Sequence, residues 1–229
     1  MKQLLIFFSV FLISCSTYPY LYHFEQNNCL NSQQKIAVMP LNLIIENRFS
    51  KDERINKIIM DALIDRLRYT NNMVVDLRNN IVDFDSIKKQ CEFFFDPYSG
   101  KLNINALDNY LKICNEYVAK NYGVCSTVYP SLIFTTAVAD HYSIRWHGRQ
   151  RYSNYFGSLP AMSLYVKVVD SNNKMIFDHA GGLQLLIKFE WFSYSDLTVK
   201  DALKNPSDIE KSLDIIFKPV EKRKYSKKK

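Results

Sequence analysis

The chain has 229 residues, 47% of them hydrophobic, and a formal net charge of +7. That length allows one good-sized core or two small ones. The charge looks like that of a nucleic-acid binder, but it is concentrated in residues 218–229, which hold seven basic residues against Glu221. With Lys2 set aside, the stretch 15–217 is neutral, so the composition gives no electrostatic footprint for nucleic acid.

The chain opens with Lys2 and the apolar run "LLIFFSVFLISCS". A bilayer-spanning helix needs about 20 apolar residues. This run is shorter, and it has the charged n-region and the h-region length of a secretory signal. Its ending, Leu12-Ile13-Ser14-Cys15, resembles the lipobox of bacterial lipoproteins. The resemblance implies cleavage after Ser14 and acylation of Cys15, hence a palmitate-bearing protein held on a bilayer and facing the periplasm. Ser16 stands where an aspartate favours the inner membrane in enterobacterial lipoproteins, which points to the outer membrane. Residues 15–34 are polar and aromatic without periodicity and read as a tether.

The globular part begins at "KIAVMPLNLII" (35–45), an apolar strand. Ser50 and Glu53 have capping-box spacing ahead of a helix whose stripe is Ile55, Ile58, Ile59, Ala62, Leu63 and Leu67. "MVVDLR" (73–78) supplies the next strand. Residues 79–103 are rich in turn formers and read as irregular. A second helix has Ile104, Leu107, Leu111, Cys114 and Val118 on one face, with Gly123 as its stop. Two long β-prone segments follow, and the second carries a hairpin signal at "SNNK". Gly181-Gly182 reads as a strand-end turn. A last helix, "SDIEKSLDIIF" (207–217), has capping spacing from Ser207 to Glu210, and 218–229 reads as a disordered basic tail with an anionic surface as its expected contact.

The strand "IAVMPL", the helix "IIMDALIDRL" and the later "SLYVKVVDSNNKMIFDHAG" come in an order that resembles the α/β domain of several envelope proteins. These are the amino-terminal domain of TolB, the penicillin-binding-protein activator lipoprotein B and the curli secretion lipoprotein. The resemblance spans about residues 35–180. It implies a single α/β domain over 35–217, a mixed sheet with amphipathic helices packed on it, used as an assembly or binding module.

Catalytic patterns are sparse. There is no P-loop, GxGxxG or GxSxG. His23, His141, His147 and His179 mark no metal-ligand spacing, and neither a metal nor a cofactor is expected. Cys29, Cys91, Cys114 and Cys125 have no CxxC pair, and at most one disulfide is expected. The expected function is therefore a non-catalytic module binding an envelope protein or peptidoglycan. An envelope hydrolase whose residues converge only in three dimensions is the alternative. From His141 to Lys167 no acid occurs, while arginines alternate with aromatics. Arg145, Trp146, Arg149, Arg151, Tyr152 and Tyr155 are thus the candidate partner-binding residues, in a segment whose glycines Gly148 and Gly157 predict a loop. The arginines are expected to be exposed and to contribute little to folding. The aromatic stretch Phe93, Phe94, Phe95 and Tyr98 is the next candidate.

Overall fold

A computed structural model describes residues 22–24, 34–41, 47–70, 72–91, 94, 103–152, 154–189 and 194–226. Cys15, the signal, most of the tether, Cys29, Phe93, Phe95 and Tyr98 lie outside them. In chain order the elements are β1 (Tyr22–Phe24), β2 (Lys35–Val38), α1 (Glu53–Tyr69), β3 (Met73–Asp76), α2 (Ile81–Gln90), α3 (Ile104–Tyr122) and β4 (Ser126–Ala139). Then come β5 (Ser143–Trp146), β6 (Arg149–Tyr152), β7 (Gly157–Asp170), β8 (Met175–Leu185), β9 (Ile187–Phe189), β10 (Tyr194–Asp196) and α4 (Ser207–Ser226).

The main sheet is mixed, in the order β1-β8-β7-β4-β2-β3. β2 runs parallel to both β3 and β4, whereas β4, β7 and β8 form an antiparallel meander. The α/β expectation holds, including the strand–helix–strand unit around α1. Side-chain alternation divides the core between two faces. Ile36 and Val38 join the cluster under α1 and α4, while Ala37 and Met39 join the one under α2 and α3.

Local chemistry accounts for most boundaries. Asp52, rather than Ser50, caps α1 by accepting from the Ile55 N–H at 2.9 Å. Ser50 is instead held in a turn by Asn47, whose Oδ1 accepts from the Ser50 N–H. Asn103 caps α3, and Gly123 ends it in the left-handed region at φ 61°. The Asp170 carboxylate accepts from the N–H groups of Asn172 and Lys174 and closes the predicted hairpin between β7 and β8. Burial pushes the Cys114 thiol up to about 12. Cys114 and Cys91 are both free thiols.

Three further expectations need correction. Residues 81–90 are helical, because Phe84 drops into the second core and meets Tyr117 edge-on at 6.1 Å. Tertiary burial there overrides a weak local pattern. β2 stops at Val38, just short of Pro40, instead of reaching residue 45. Finally, α4 continues to Ser226 with Pro219 inside it, so the stretch from 218 to 226 is helical and not a disordered tail. Ile216, Phe217 and Val220 are buried on both sides of the proline, and that packing carries the helix across it.

Candidate functional site

β4 and β7 are each 14 residues long. They pair rung by rung from Ser126–Asp170 to Ala139–Gly157. The outer part of this ladder carries a third cluster, Ala137, Ala139, Leu159, Ala161 and Leu185, covered by Ile144 and Trp146 of the β5–β6 hairpin. The segment expected to loop out is therefore a β-hairpin, with β6 paired only to β5. Its two-residue turn, His147-Gly148, has positive φ at both positions (32° and 73°). That is the backbone a tight hairpin needs, and glycine supplies it without strain.

The turn end is fixed from every side. Trp146 is 6% exposed, and its Nε1 donates to the Met162 carbonyl at 3.3 Å. His147 Nδ1 lies 2.7 Å from Ser163 Oγ, and the His147 carbonyl accepts from the Gly182 N–H at 2.9 Å. Burial, and next the neighbouring His179, hold the His147 imidazole below the usual histidine range. Arg149 is ion-paired with Asp208 in the first turn of α4, and it also donates to the Asp208 carbonyl at 3.2 Å. Both side chains of that pair are largely buried.

Gly181 and Gly182 are not a strand-end turn; they lie inside β8. A Cβ at Gly182 would stand 2.8 Å from the Trp146 carbonyl oxygen, and one at Gly181 would collide with Ser212 of α4. The pair thins the strand on both faces, so that the hairpin and α4 approach it from opposite sides. A Gly-Gly pair inside a β-prone run was the available sequence signal for this contact.

Between the hairpin, β8 and α4 lies a cleft of about 590 Å³. Its lining includes Arg149, Gln150, Arg151, Asn205, Asp208 and Lys211. Asp208 and Asp214 of that lining are each paired with an arginine, Arg149 and Arg66 (2.9 Å for the latter), so charge is offset within each pair. Arg151 and Lys211 add two more cations to its lining. Asp208, Asn205 and Lys211 come from the last helix and the loop before it, which the sequence reading did not connect with the hairpin.

The six sequence candidates thus separate. Trp146 and Arg149 are packed and paired, and Tyr155 is half-buried against the third cluster. Arg151 lines the cleft. Arg145 and Tyr152 are exposed at the open end, where Arg145 donates to Asp140 at 2.7 Å. The Asp140 carboxyl is held below the usual range by the backbone N–H groups of Tyr142 and Ser143, and then by Arg145. Phe94 is buried in the second core, in contact with Tyr110 at 5.1 Å between ring centroids.

Among the described residues, no three His, Cys, Asp or Glu side chains are grouped so as to hold a metal ion. The Ser163–His147 pair has the elements of a nucleophile and its base, but Ser163 is fully buried, beyond the reach of a substrate carbonyl.

No family model matches the sequence, and no curated protein matches it either. Among solved structures, lipoprotein GNA1162 from Neisseria meningitidis is similar at 14% identity and a TM-score of 0.32. The likeness covers 66% of this chain and 81% of the other.

Proposed function

We propose that this protein is a lipid-anchored lipoprotein of the bacterial envelope, held on the membrane through acylated Cys15, whose α/β domain is a non-catalytic binding module. The anchor reading rests on the lipobox-like end of the short apolar run. The observation that carries the binding reading is the open cleft beside the β5–β6 hairpin, with Arg151 and Lys211 in its lining. Its volume is in the range of ligand-sized sites. Arginine offers two parallel N–H donors to a carboxylate, and the amides of Gln150 and Asn205 add neutral partners. An acidic face or an extended acidic segment of an envelope protein fits that lining, and so does a peptidoglycan carboxylate.

Two measurements on whole cells test the two halves. With Cys15→Ala, labelled palmitate should no longer enter the protein and an uncleaved precursor should accumulate; normal maturation would defeat the anchor reading. With Arg151→Ala and Lys211→Ala together, cross-linking to an envelope partner should fall while the protein still fractionates with membranes. Undiminished cross-linking would exclude the cleft as the docking site.

A further inference from the structure

β6 is the free edge of the hairpin. Among the described residues it pairs with β5 alone. The direction of its backbone groups follows from the turn before β5, where the Asp140 N–H donates to the Ser143 carbonyl at 2.9 Å. Ser143 and Arg145 thus face β4, and Ile144 and Trp146 face β6. Their rung partners Arg151 and Arg149 take up the ladder bonds. Gln150 and Tyr152 therefore turn their N–H and C=O groups away from β5. Both residues are exposed, Tyr152 at 88%. Neither makes a backbone bond beyond the hairpin among the described residues. Two rungs of a strand ladder stand open there, and such an edge is a template for another extended chain.

The side chains on this edge select the occupant. Arg149 and Arg151 stand opposite the buried Trp146 and Ile144, so they lie on the inward face of the ribbon. A second copy of the same edge fits poorly. Antiparallel pairing centred on Gln150 sets Arg149 against Arg151, and pairing centred on Arg151 sets that arginine against itself. Like charges directly opposite destabilise a pair of strands. A chain with an acid at that rung fits instead. The residue opposite Arg151 shares its face, and Arg151 and Lys211 both line the cleft. Lys211 is exposed and has no acidic partner among the described residues, whereas Asp208 and Asp214 are already paired.

We propose that β6 is a strand-addition site. An extended segment of another envelope protein pairs its backbone with Gln150 and Tyr152 and lays an aspartate or glutamate, opposite Arg151, over the cleft toward Lys211. This rests on the binding role of the cleft proposed above and adds how the segment lies in it. Main-chain bonds at the two open rungs hold the segment extended, and the single inward carboxylate fixes its register. The residues on either side of that acid turn outward, beside Gln150 and Tyr152, where β-branched or aromatic side chains pair best.

The test uses full-length protein in detergent micelles and short capped peptides of alternating valine and threonine, with a central glutamate or with lysine in its place. Amide hydrogen exchange at Gln150 and Tyr152 should slow at least about five-fold with the glutamate peptide, as each gains a hydrogen bond. The amides of Arg149 and Arg151, already in the ladder, should change less. The lysine peptide should leave all four as they were. Gln150→Pro removes an outward N–H and no ladder bond. It should weaken the glutamate peptide about five-fold, whereas Gln150→Ala should have little effect. Binding that Gln150→Pro leaves intact overturns the added strand, and equal binding of the lysine peptide overturns the choice of an acid. If Lys211→Ala weakens a glutamate peptide that leaves Gln150 and Tyr152 unprotected, the cleft stands and strand addition falls. If neither amide responds and Lys211→Ala changes nothing, both fall together. Slow exchange at both amides before any peptide is added overturns the open edge: in favour of a second copy where it grows with protein concentration, and of the chain's own residues where it does not.

Discussion

At the turn end of the β5–β6 hairpin, Trp146 and Arg149 face one another as a rung, and both are committed inward, to the third cluster and to Asp208. At the open end the corresponding rung is Ser143 and Tyr152, and Tyr152 stands in solvent. An arginine and an aromatic ring occur at both ends of one short ribbon, yet one set fastens the hairpin to β8 and α4 while the other, Tyr152 with Arg145 on Asp140, stands at the surface. Residue type does not separate an exposed residue from a packed one here. What separates them is the distance from Gly181-Gly182, where the sheet is thin enough for the hairpin to close on it.

The largest effect should come from the fastened end. Trp146→Ala removes the ring that closes the third cluster and leaves its neighbours around a void. Chemical denaturation should show a loss of about 3–5 kcal/mol. A loss below about 1 kcal/mol would mean that the hairpin is held by its strand pairing alone. Arg149→Ala should come next. It leaves the Asp208 carboxylate largely buried without its partner, at a cost of about 1–3 kcal/mol. In a double-mutant cycle with Asp208→Ala most of that loss should appear as coupling, which an exposed pair would not give.

A smaller, pH-dependent effect sharpens the comparison at the turn. His147 has a folded-state pKa below its unfolded value, so the unfolded chain binds the proton more readily. Its contribution to stability is complete above the unfolded pKa of about 6.5 and is lost as pH falls through the folded value. Between about pH 7.5 and about pH 5 the thermal midpoint should therefore drop more in the parent than in His147→Asn, which keeps a residue tolerant of positive φ. Equal slopes would assign the pH response to other groups.

Much of the frame was legible before the structure. The stripe of α1, the stop at Gly123 and the turn at Ser171–Lys174 follow from period, capping chemistry and turn residues, all local signals. The end of β2 just short of Pro40 and the Asp52 cap of α1 are local matters, but the larger errors have a common source in contacts between distant parts of the chain. α2 exists because Phe84 finds Tyr110 and Tyr117 on α3, about 26 to 33 residues further on, and Arg149 finds Asp208 across most of the last third. No spacing rule links those positions. The acid-free run singled out the segment that holds the hairpin, since absence of acids is a property of the segment itself, but its glycines read as a loop where the structure has paired strands. It did not distinguish which arginine was already taken.

The open end should yield the smallest change in stability and, for that reason, the cleanest test. Tyr152 is 88% exposed and belongs to none of the three buried clusters. Tyr152→Ser should leave the denaturation midpoint within about 0.5 kcal/mol of the parent, as expected for a surface position without a cap, cavity or buried partner. Arg145→Ala should behave alike, because its bond to Asp140 is solvent-exposed and Asp140 keeps the N–H donors of Tyr142 and Ser143. If either variant loses as much stability as Arg149→Ala, the open end is structural too, and the contrast between the two ends of the ribbon fails. If both retain full stability while partner contact weakens, side chains of one chemical type have been divided between fold and function by where they fall along the hairpin.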